Sequence, residues 1–209
     1  MNTHTNDTAE LRKRLRGIRR EIAPEELHLA SQAVNARIMD LRCFHRARHI
    51  AGYVGSKGEI DPMPLLHLAY LMGKHCYLPV LHPVVPGRLW FVPWTPGTPM
   101  RLNRFAIPEP VFDVRQRRKP QWIDLILMPM LGFDIDCHRL GMGGGFYDRT
   151  FAFMRHRRRT SRPYLVGIAH DVQRCERIPH APWDIDPSMI VTPSRTYRCK
   201  SGERSRPLI

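Results

Sequence analysis

The residues best suited to chemistry lie in one glycine-rich segment, RLGMGGGFYDR, between Arg139 and Arg149. It combines an arginine at each end, a backbone with few side chains, an aromatic pair and the carboxylate of Asp148. Glycines let successive backbone N–H groups turn toward an anion and let phosphate oxygens approach the main chain closely. Arginine guanidinium groups match the geometry of a phosphate. The segment therefore predicts a phosphate-binding loop.

Asp148 adds the oxygen ligand that a magnesium ion shared with ATP phosphates requires, because such an ion takes only one or two protein carboxylates. A glycine run alone could equally form a structural turn, so the flanking charges carry the interpretation. Two known phosphate motifs are excluded by spacing. The chain lacks G-x-x-x-x-G-K-[ST], and Phe146 stands where the dinucleotide fingerprint needs its third glycine. We therefore predict a magnesium-dependent enzyme that handles ATP through a different loop.

The composition describes a strongly basic globular protein. The 209 residues suffice for one α/β domain, and 43% of them are hydrophobic. Lysine and arginine exceed aspartate and glutamate by 33 to 19, which gives a formal charge of +14. This charge attracts polyanions, although it does not choose among nucleic acid, nucleotide and a polycarboxylated small molecule. Runs such as 155–159 are typical of a solvated surface.

Segments that would direct the chain to a membrane or an oxidising compartment are not evident. No apolar run approaches the roughly 18 residues of a membrane span, and the N-terminus is charged. We therefore expect a cytoplasmic protein that does not associate with membranes. The cysteines are odd in number, scattered and without a C-x-x-C pair, which argues against a disulfide framework and a structural zinc site. They are Cys43, Cys76, Cys137, Cys175 and Cys199.

Alternating apolar runs and helical stripes predict the elements that position this chemistry. Strands are predicted at 50–54, 75–81, 89–94, 123–128, 164–169 and 189–192. Helices are predicted from Leu11, from Pro24, over 61–73 and from Tyr147. This order predicts a single three-layer α/β domain over residues 1–197, with a mostly parallel or mixed sheet and helices on both faces. We expect 93–110 to be an irregular surface excursion and 198–209 to be a polar tail.

Ligands of such sheets bind beyond the carboxyl ends of the strands. Both the Gly55–Glu59 loop and the Arg139–Asp148 loop would emerge there. The stretch from Ile123 to Arg149, with Gly132-Phe133-Asp134 and then RLGMGGGFYDR, resembles the 5-formyltetrahydrofolate cyclo-ligase family, also called methenyltetrahydrofolate synthetase. The resemblance extends from the Leu11-Arg12 helix to 191–193, and the glycine segment is its most specific part.

The resemblance implies that ATP and magnesium drive the conversion of 5-formyltetrahydrofolate to 5,10-methenyltetrahydrofolate, with release of ADP and phosphate. The formyl oxygen would be phosphorylated, and N10 would then attack the formyl carbon. Catalytic roles fall on Arg139, Gly144 and Asp148. The implied ATP contacts are Arg12, Arg139, Gly141, Met142, Gly143, Gly144, Gly145, Phe146 and Tyr147. The implied folate contacts are Val54, Glu59, Met142, Gly143, Gly144, Gly145 and Phe146.

The chain departs from the family pattern at several charged positions. The family's N-terminal lysine falls at Thr8 or Ala9, so Arg12 or a neighbouring arginine must supply that charge. Many members carry a lysine where this chain has Gly144, which leaves more phosphate neutralisation to Arg139, Arg149 and backbone amides. The metal is expected on Asp148. The usual second aspartate falls at Ser188, so Asp184 is the remaining candidate for a second carboxylate.

Two other functions compete with this interpretation. A nucleic-acid-binding protein is suggested by the charge and by the arginines of the first helix, namely Arg12, Arg14, Arg16, Arg19 and Arg20. That helix has no aromatic residues for base stacking, and no DNA-reading motif occurs. A kinase for another small acid could use the same scaffold. Gly58-Glu59 together with the glycine segment favours folate.

The remaining features of the sequence carry less weight. The scattered histidines, such as His45, His49, His138 and His170, lack ligand spacing and are interpreted as surface or satisfied polar residues.

We favour a monomer, although the sequence does not fix the oligomeric state.

Overall fold

A computed structural model describes residues 3–156 and 163–199 of the chain. The strands are β1 (His49–Ala51), β2 (His75–Leu81), β3 (Leu89–Trp94), β4 (Met100–Leu102), β5 (Pro108–Pro110), β6 (Leu125–Pro129), β7 (Gly132–Phe133), β8 (Arg139–Leu140), β9 (Tyr164–Ile168), β10 (Met189–Val191) and β11 (Thr196–Arg198). The α-helices are α1 (Thr3–Arg20), α2 (Pro24–Met39), α3 (Arg42–Arg46), α4 (Met63–Leu71) and α5 (Phe146–Thr150). A 3₁₀ segment at Ala152–His156 follows α5.

Seven strands form one mixed sheet in the order β11-β10-β9-β6-β1-β2-β3. The five central strands run parallel, and the edge strands β3 and β11 are antiparallel. From β1 the chain moves to β2 on one side, whereas from β6 it moves to β9 and β10 on the other. The carboxyl ends of β1 and β6 therefore flank a topological switch point, which is where open α/β sheets bind ligands.

Alternating side chains along the central strands cover both faces of the sheet. Leu125 and Leu127 pack with α2, α3 and α4 in one hydrophobic cluster. Ile126 and Met128 pack on the opposite face with residues from α5 and the 3₁₀ segment that follows it. This alternation is the period-two pattern of a strand that is buried on both sides. The prediction of a three-layer α/β domain is confirmed.

Helix α1 lies apart from these layers, against the β7–β8 hairpin. Leu15 is fully buried in a small cluster with Leu131, Leu140 and Ile178. The same packing brings the arginines of α1 alongside the glycine segment that follows β8. No helix within the described residues has the length and apolarity needed to cross a bilayer.

The excursion predicted at 93–110 is more ordered than expected. It contains the antiparallel pair β4–β5. Glu109 on β5 is buried, and its Oε2 accepts hydrogen bonds from the backbone N–H of Leu81 at 3.3 Å and from Asn103 Nδ2 at 3.4 Å. The prediction of irregular structure was wrong for this part, because one buried carboxylate ties the hairpin to the end of β2.

The prediction from the cysteine count was also wrong for one pair. Cys137 and Cys199 form a disulfide across a sequence separation of 62 residues. Pairing of β11 with β10 brings Cys199 beside the β7–β8 hairpin, and sequence spacing does not reveal such a contact. The predicted tail at 198–209 therefore begins within β11 and at this disulfide. Its remaining residues, 200–209, lie outside the described residues.

The buried face of α4 offers a test of the core. Leu66 is fully buried beneath the sheet, whereas Leu71 on the same helix is 68% exposed. We expect Leu66→Ala to lower the free energy of unfolding by about 2–5 kcal/mol, because it leaves a cavity. Leu71→Ala, the matched control, should change it by no more than about 0.5 kcal/mol. Urea denaturation measures both, and equal costs would contradict this arrangement of the core.

Candidate active site

Within the glycine segment, residues 141–145 form the loop between β8 and α5. Gly143 and Gly145 have φ of 101° and 60°, which is the left-handed region that favours glycine. A Cβ at Gly145 would also lie 2.7 Å from the Nη1 atom of Arg149. Helix α5 begins directly after this residue. Glycine is thus favoured at Gly143 and Gly145 by their backbone conformation, and at Gly145 also by the close approach of Arg149.

Arg139 and Asp148, near the two ends of the glycine segment, form an ion pair. The buried Arg139 guanidinium donates from Nη2 to Asp148 Oδ1 and from Nε to the carbonyl oxygen of Ile185 at 2.8 Å. The backbone N–H of Ile185 in turn donates to Asp148 Oδ1 at 3.1 Å. Both predicted catalytic side chains are therefore fixed against each other and against the chain that precedes β10.

Three arginines hold the glycine segment through its carbonyl oxygens. Arg12 Nε donates to Gly141 at 3.1 Å, and Arg16 Nη2 donates to Met142 at 3.2 Å. Arg149 donates to the carbonyl of Gly144 and, from Nε at 3.0 Å, to that of Gly87. These contacts fix three carbonyl oxygens of the segment, so arginine side chains set the path of its backbone.

A cavity of about 1070 Å³ opens beside the segment. Among the cavity-lining residues that the structure describes, five are cations and two are carboxylates. They are Arg12, Arg139, Arg149, Arg155, Arg177, Asp148 and Asp184. Thr8, one of the two positions where the family's lysine falls, also lines this cavity, as do Gly141, Gly143 and Gly145. The excess of arginine makes the cavity suited to a polyanion.

Glu59 lies in the loop that follows β1, in a second polar cluster. Its Oε1 accepts a hydrogen bond from Arg19 Nη1 at 3.1 Å, and its Oε2 accepts one from the backbone N–H of Ser56 at 3.1 Å. The two charged side chains are only 3% and 13% exposed, for Arg19 and Glu59 respectively. Arg19 Nε also donates to the carbonyl of Lys57 at 3.0 Å. Glu59 is therefore held in one orientation by a buried arginine.

Close packing of this loop on α1 explains the glycine that precedes Glu59. Gly58 has φ of 78°, and a Cβ there would lie 2.5 Å from the backbone oxygen of Arg19. His170 supports the same loop, with its Nε2 3.1 Å from the carbonyl oxygen of Gly58. Since a carbonyl cannot donate, Nε2 must carry the proton. Burial lowers the pKa of His170, so the neutral ring is favoured.

Arg19 is the residue that sequence reasoning missed. It was grouped with the other arginines of the first helix as part of a basic face. A signal was nevertheless present, because Arg19 follows Leu11 and Leu15 at steps of four residues and thus continues their buried stripe. A charged residue on the buried stripe of a helix indicates a buried partner.

Tyr147 belongs to the glycine segment, and the charges of both Glu59 and Arg139 act on it. Burial, with a further contribution from the negative charge of Glu59, raises the pKa of Tyr147, while Arg139 lowers it. Its ring stacks on Phe151 with centroids 6.0 Å apart. The hydroxyl thus stays protonated at neutral pH and is available as a hydrogen-bond donor close to both charged groups.

The predicted site residues do not all surround one cavity. Among the described residues, Val54, Met142, Gly144 and Phe146 are absent from the walls of the arginine-lined cavity, as are Glu59 and Tyr147. Val54 packs against the core beneath α2 and α4. Phe146 packs edge-on against Phe105 with centroids 5.8 Å apart, and Met142 is exposed. The Glu59 cluster thus lies outside the described wall of the arginine-lined cavity.

Comparison with known proteins gives a consistent family. The sequence model of the 5-formyltetrahydrofolate cyclo-ligase family matches residues 4–193. The 5-formyltetrahydrofolate cyclo-ligase of Escherichia coli K12 is 38% identical over 183 residues, which cover 88% of this chain and 98% of that protein. The Haemophilus influenzae enzyme of the same name is 35% identical over 182 residues, covering 87% and 95% respectively.

A solved structure of a related protein has the same fold. The NMR structure of 5,10-methenyltetrahydrofolate synthetase from Aquifex aeolicus superposes with a TM-score of 0.77 at 30% sequence identity, covering 95% of this chain and 96% of that one. A second solved structure, of a 5,10-methenyltetrahydrofolate synthetase from Mycoplasma pneumoniae, superposes with a TM-score of 0.66 at 23% sequence identity, covering 90% of this chain and 99% of that one. The family model spans nearly the whole chain, and the fold and the glycine segment agree with it. The chain belongs to the 5-formyltetrahydrofolate cyclo-ligase family.

Proposed function

We propose that this chain converts 5-formyltetrahydrofolate and ATP to 5,10-methenyltetrahydrofolate, ADP and phosphate. The observation that carries the proposal is the Arg139–Asp148 pair, which lies in the wall of an arginine-rich cavity beside the glycine segment. The Glu59 cluster is not among the described residues that line this cavity. One polar cluster is thus available for a polyphosphate and the other for a heterocycle with N–H groups.

The chemistry of this reaction explains the need for ATP. The oxygen of an N-formyl group is a poor leaving group. Transfer of the γ-phosphoryl group to that oxygen releases ADP and converts the oxygen into part of a phosphate. N10 then forms a bond to the formyl carbon, phosphate departs with the former formyl oxygen, and N10 loses its proton. Catalysis then consists of positioning and charge neutralisation, so no protein nucleophile is required.

We propose that ATP phosphates occupy the arginine-lined cavity. Arg139 and Arg12 line it while also donating to fixed backbone carbonyls, so their positions are set before the ligand arrives. The amides of 141–145 supply further donors to phosphate oxygens. Because Arg12 is present on the same wall as Thr8, it is the residue that we assign to the place of the family's N-terminal lysine.

Asp148 fits the binding of a magnesium ion through one oxygen. Its Oδ1 is occupied by Arg139 and by the N–H of Ile185, whereas Oδ2 has no hydrogen bond within the described part of the chain. Asp184 lines the same cavity, although its Oδ2 already accepts the N–H of Ala181 at 2.8 Å. An all-oxygen donor set suits magnesium, which would neutralise phosphate charge during transfer. We assign Asp148 as the principal ligand and Asp184 as the secondary one.

We propose that Glu59 recognises the folate ring. A carboxylate whose position is fixed by Arg19 and Ser56 can accept hydrogen bonds from ring N–H groups without reorganising, which favours a preorganised site. Val54 would border the same ring, and Met142, Phe146 and the glycines at 143–145 would contact the reacting end. Tyr147 is assigned to ATP, and the effect of the Glu59 charge on the pKa of Tyr147 supports a folate site next to the glycine segment.

The nucleic-acid interpretation loses its main support. Arg12, Arg16 and Arg19 on α1 all donate hydrogen bonds to the glycine segment or to the Glu59 loop. Much of the charge on this helix is therefore internal to the site. We further propose that the enzyme is cytoplasmic, because its reaction requires ATP. We also propose that it is a monomer.

The activity itself is tested by absorbance. We expect 5,10-methenyltetrahydrofolate to form from 5-formyltetrahydrofolate only when ATP and magnesium are both present, with one ADP released for each product. Absence of product would contradict the proposal. Release of ADP with a different small acid, and not with this folate, would instead favour a kinase on the same scaffold.

The role of Asp148 is tested by Asp148→Asn. The amide oxygen can still accept from Arg139 and Ile185, so the fold should be retained while the metal ligand is lost. We expect kcat to fall by on the order of 10²-fold or more, comparable to removing one preorganised electrostatic contact. Added magnesium should restore it only partly. Asp136→Asn, an exposed neighbour, is the control, and equal activity of the two variants would remove Asp148 from the metal.

The Arg19–Glu59 pair is tested by a double-mutant cycle with Arg19→Met and Glu59→Gln. Arg19→Met leaves a buried carboxylate unpaired, so it should cost about 3–5 kcal/mol in stability and raise KM for the folate more than KM for ATP. The double variant should regain part of the stability and none of the folate affinity. Arg20→Met on the exposed side of α1 is the control. If the two changes in the free energy of unfolding simply add in the double variant, the two residues do not act as a unit.

A further inference from the structure

Three side chains near the arginine-lined cavity take no part in the proposed reaction. His138, His180 and Asp186 each offer one ligand atom, and these atoms all lie within 4.8 Å of one another. His180 Nε2 lies 3.0 Å from Asp186 Oδ2, and the two imidazole centroids are 4.4 Å apart. His138 is a satisfied polar residue, as expected from the sequence, because its Nδ1 contacts Asp134, and the fold also places two further potential ligands beside it.

A buried carboxylate orients the first of these histidines. His138 Nδ1 lies 3.0 Å from Asp134 Oδ2, and Asp134 also accepts backbone N–H groups from Asp136, His138 and Ile178, each at 3.0 Å. A carboxylate that receives three backbone donors is itself fixed as an acceptor. The proton of neutral His138 therefore resides on Nδ1, which leaves the lone pair on Nε2. This is the outer-shell arrangement found for histidines that bind metals.

Asp186 carries an oxygen that the fold leaves unsatisfied. Its Oδ1 is buried and has no hydrogen-bond partner within the described part of the chain. Burial raises the pKa of this carboxyl, and the charges of His180, His138 and Arg139 oppose the rise, whereas Asp184 adds to it. Asp186 thus has one oxygen against the His180 imidazole and one buried oxygen without a partner, and a cation bound by this carboxylate would offset the cost of that burial.

We propose that His138, His180 and Asp186 bind a divalent cation of the zinc class at the cavity wall. Two imidazole nitrogens and one carboxylate oxygen favour zinc or its transition-metal neighbours over magnesium, which prefers oxygen ligands. Three protein ligands leave at least one coordination position for water or an anion. His138 and His180 both line the cavity, so that position faces the space proposed for ATP phosphates.

The donor set of this site differs from the one proposed for magnesium. Asp148 and Asp184 offer oxygen alone, whereas this site adds two imidazole nitrogens to the oxygen of Asp186. A cation at the histidine site would add positive charge to the wall next to Arg139. The inference rests on the donor set and its geometry, so it stands whether or not the chain has cyclo-ligase activity.

Titration of the untagged full chain with Co²⁺ tests the site. We expect one equivalent of Co²⁺ to bind with the visible absorption of a low-coordinate cobalt centre. Zn²⁺ should displace it, and Mg²⁺ in large excess should not. His180→Asn and Asp186→Asn should each weaken Co²⁺ binding by about 10-fold or more, since even loss of an outer-shell partner costs about 10–100-fold.

Controls separate this site from other donors. His67→Asn, an exposed histidine on α4, should bind Co²⁺ like the unaltered chain. Circular dichroism verifies that each variant is folded. The proposal would be overturned by absence of binding, by Co²⁺ binding to the His180 and Asp186 variants as tightly as to the unaltered chain, or by a thiolate-to-cobalt absorption band from a free cysteine. Because none of these measurements requires turnover, their outcome is independent of the cyclo-ligase assay.

Discussion

The ion pair between Arg139 and Asp148 is the interaction on which the rest of the site depends. Burial of a guanidinium costs several kcal/mol unless its donors are satisfied. Here the cost is offset by Asp148 and by the carbonyl of Ile185, whose N–H closes the network on Asp148. The network joins β8, α5 and the chain before β10. It thereby fixes both ends of the glycine loop, whose residues Gly141, Gly143 and Gly145 line the cavity.

Helix α1 has a structural role that its basic composition conceals. Three of its arginines donate hydrogen bonds to carbonyl or carboxylate oxygens in two different loops. The helix therefore fixes both the glycine segment and Glu59, although it does not pack on a face of the sheet. Arg12, Arg16 and Arg19 thus hold loops in place, and five arginines, Arg12 among them, make the cavity positive.

The β7–β8 hairpin supplies two kinds of chemistry at adjacent positions. Arg139 turns to Asp148, and His138, beside it in the sequence, turns to Asp134 and the histidine–aspartate group. The disulfide at Cys137 ties the same hairpin to the end of the sheet. One short hairpin thus contributes to the proposed ATP cavity and to the proposed transition-metal site, and it is linked to the chain after the last strand. Hydrogen bonds to Asp134 hold the loop of this hairpin in one conformation.

The sequence alone determined the central strands, the three-layer class and the glycine segment, because apolar periodicity and runs of glycine are local signals. It also placed Arg139 and Asp148 in one segment, since nine residues separate them. Only the tertiary structure decided that Arg19 neutralises Glu59, 40 residues away, and that Cys137 meets Cys199, 62 residues away. It likewise brought His138 to His180 and Asp186. Such contacts are set by the order of strands and the packing of α1, and one sequence carries no record of which distant side chains those elements bring together.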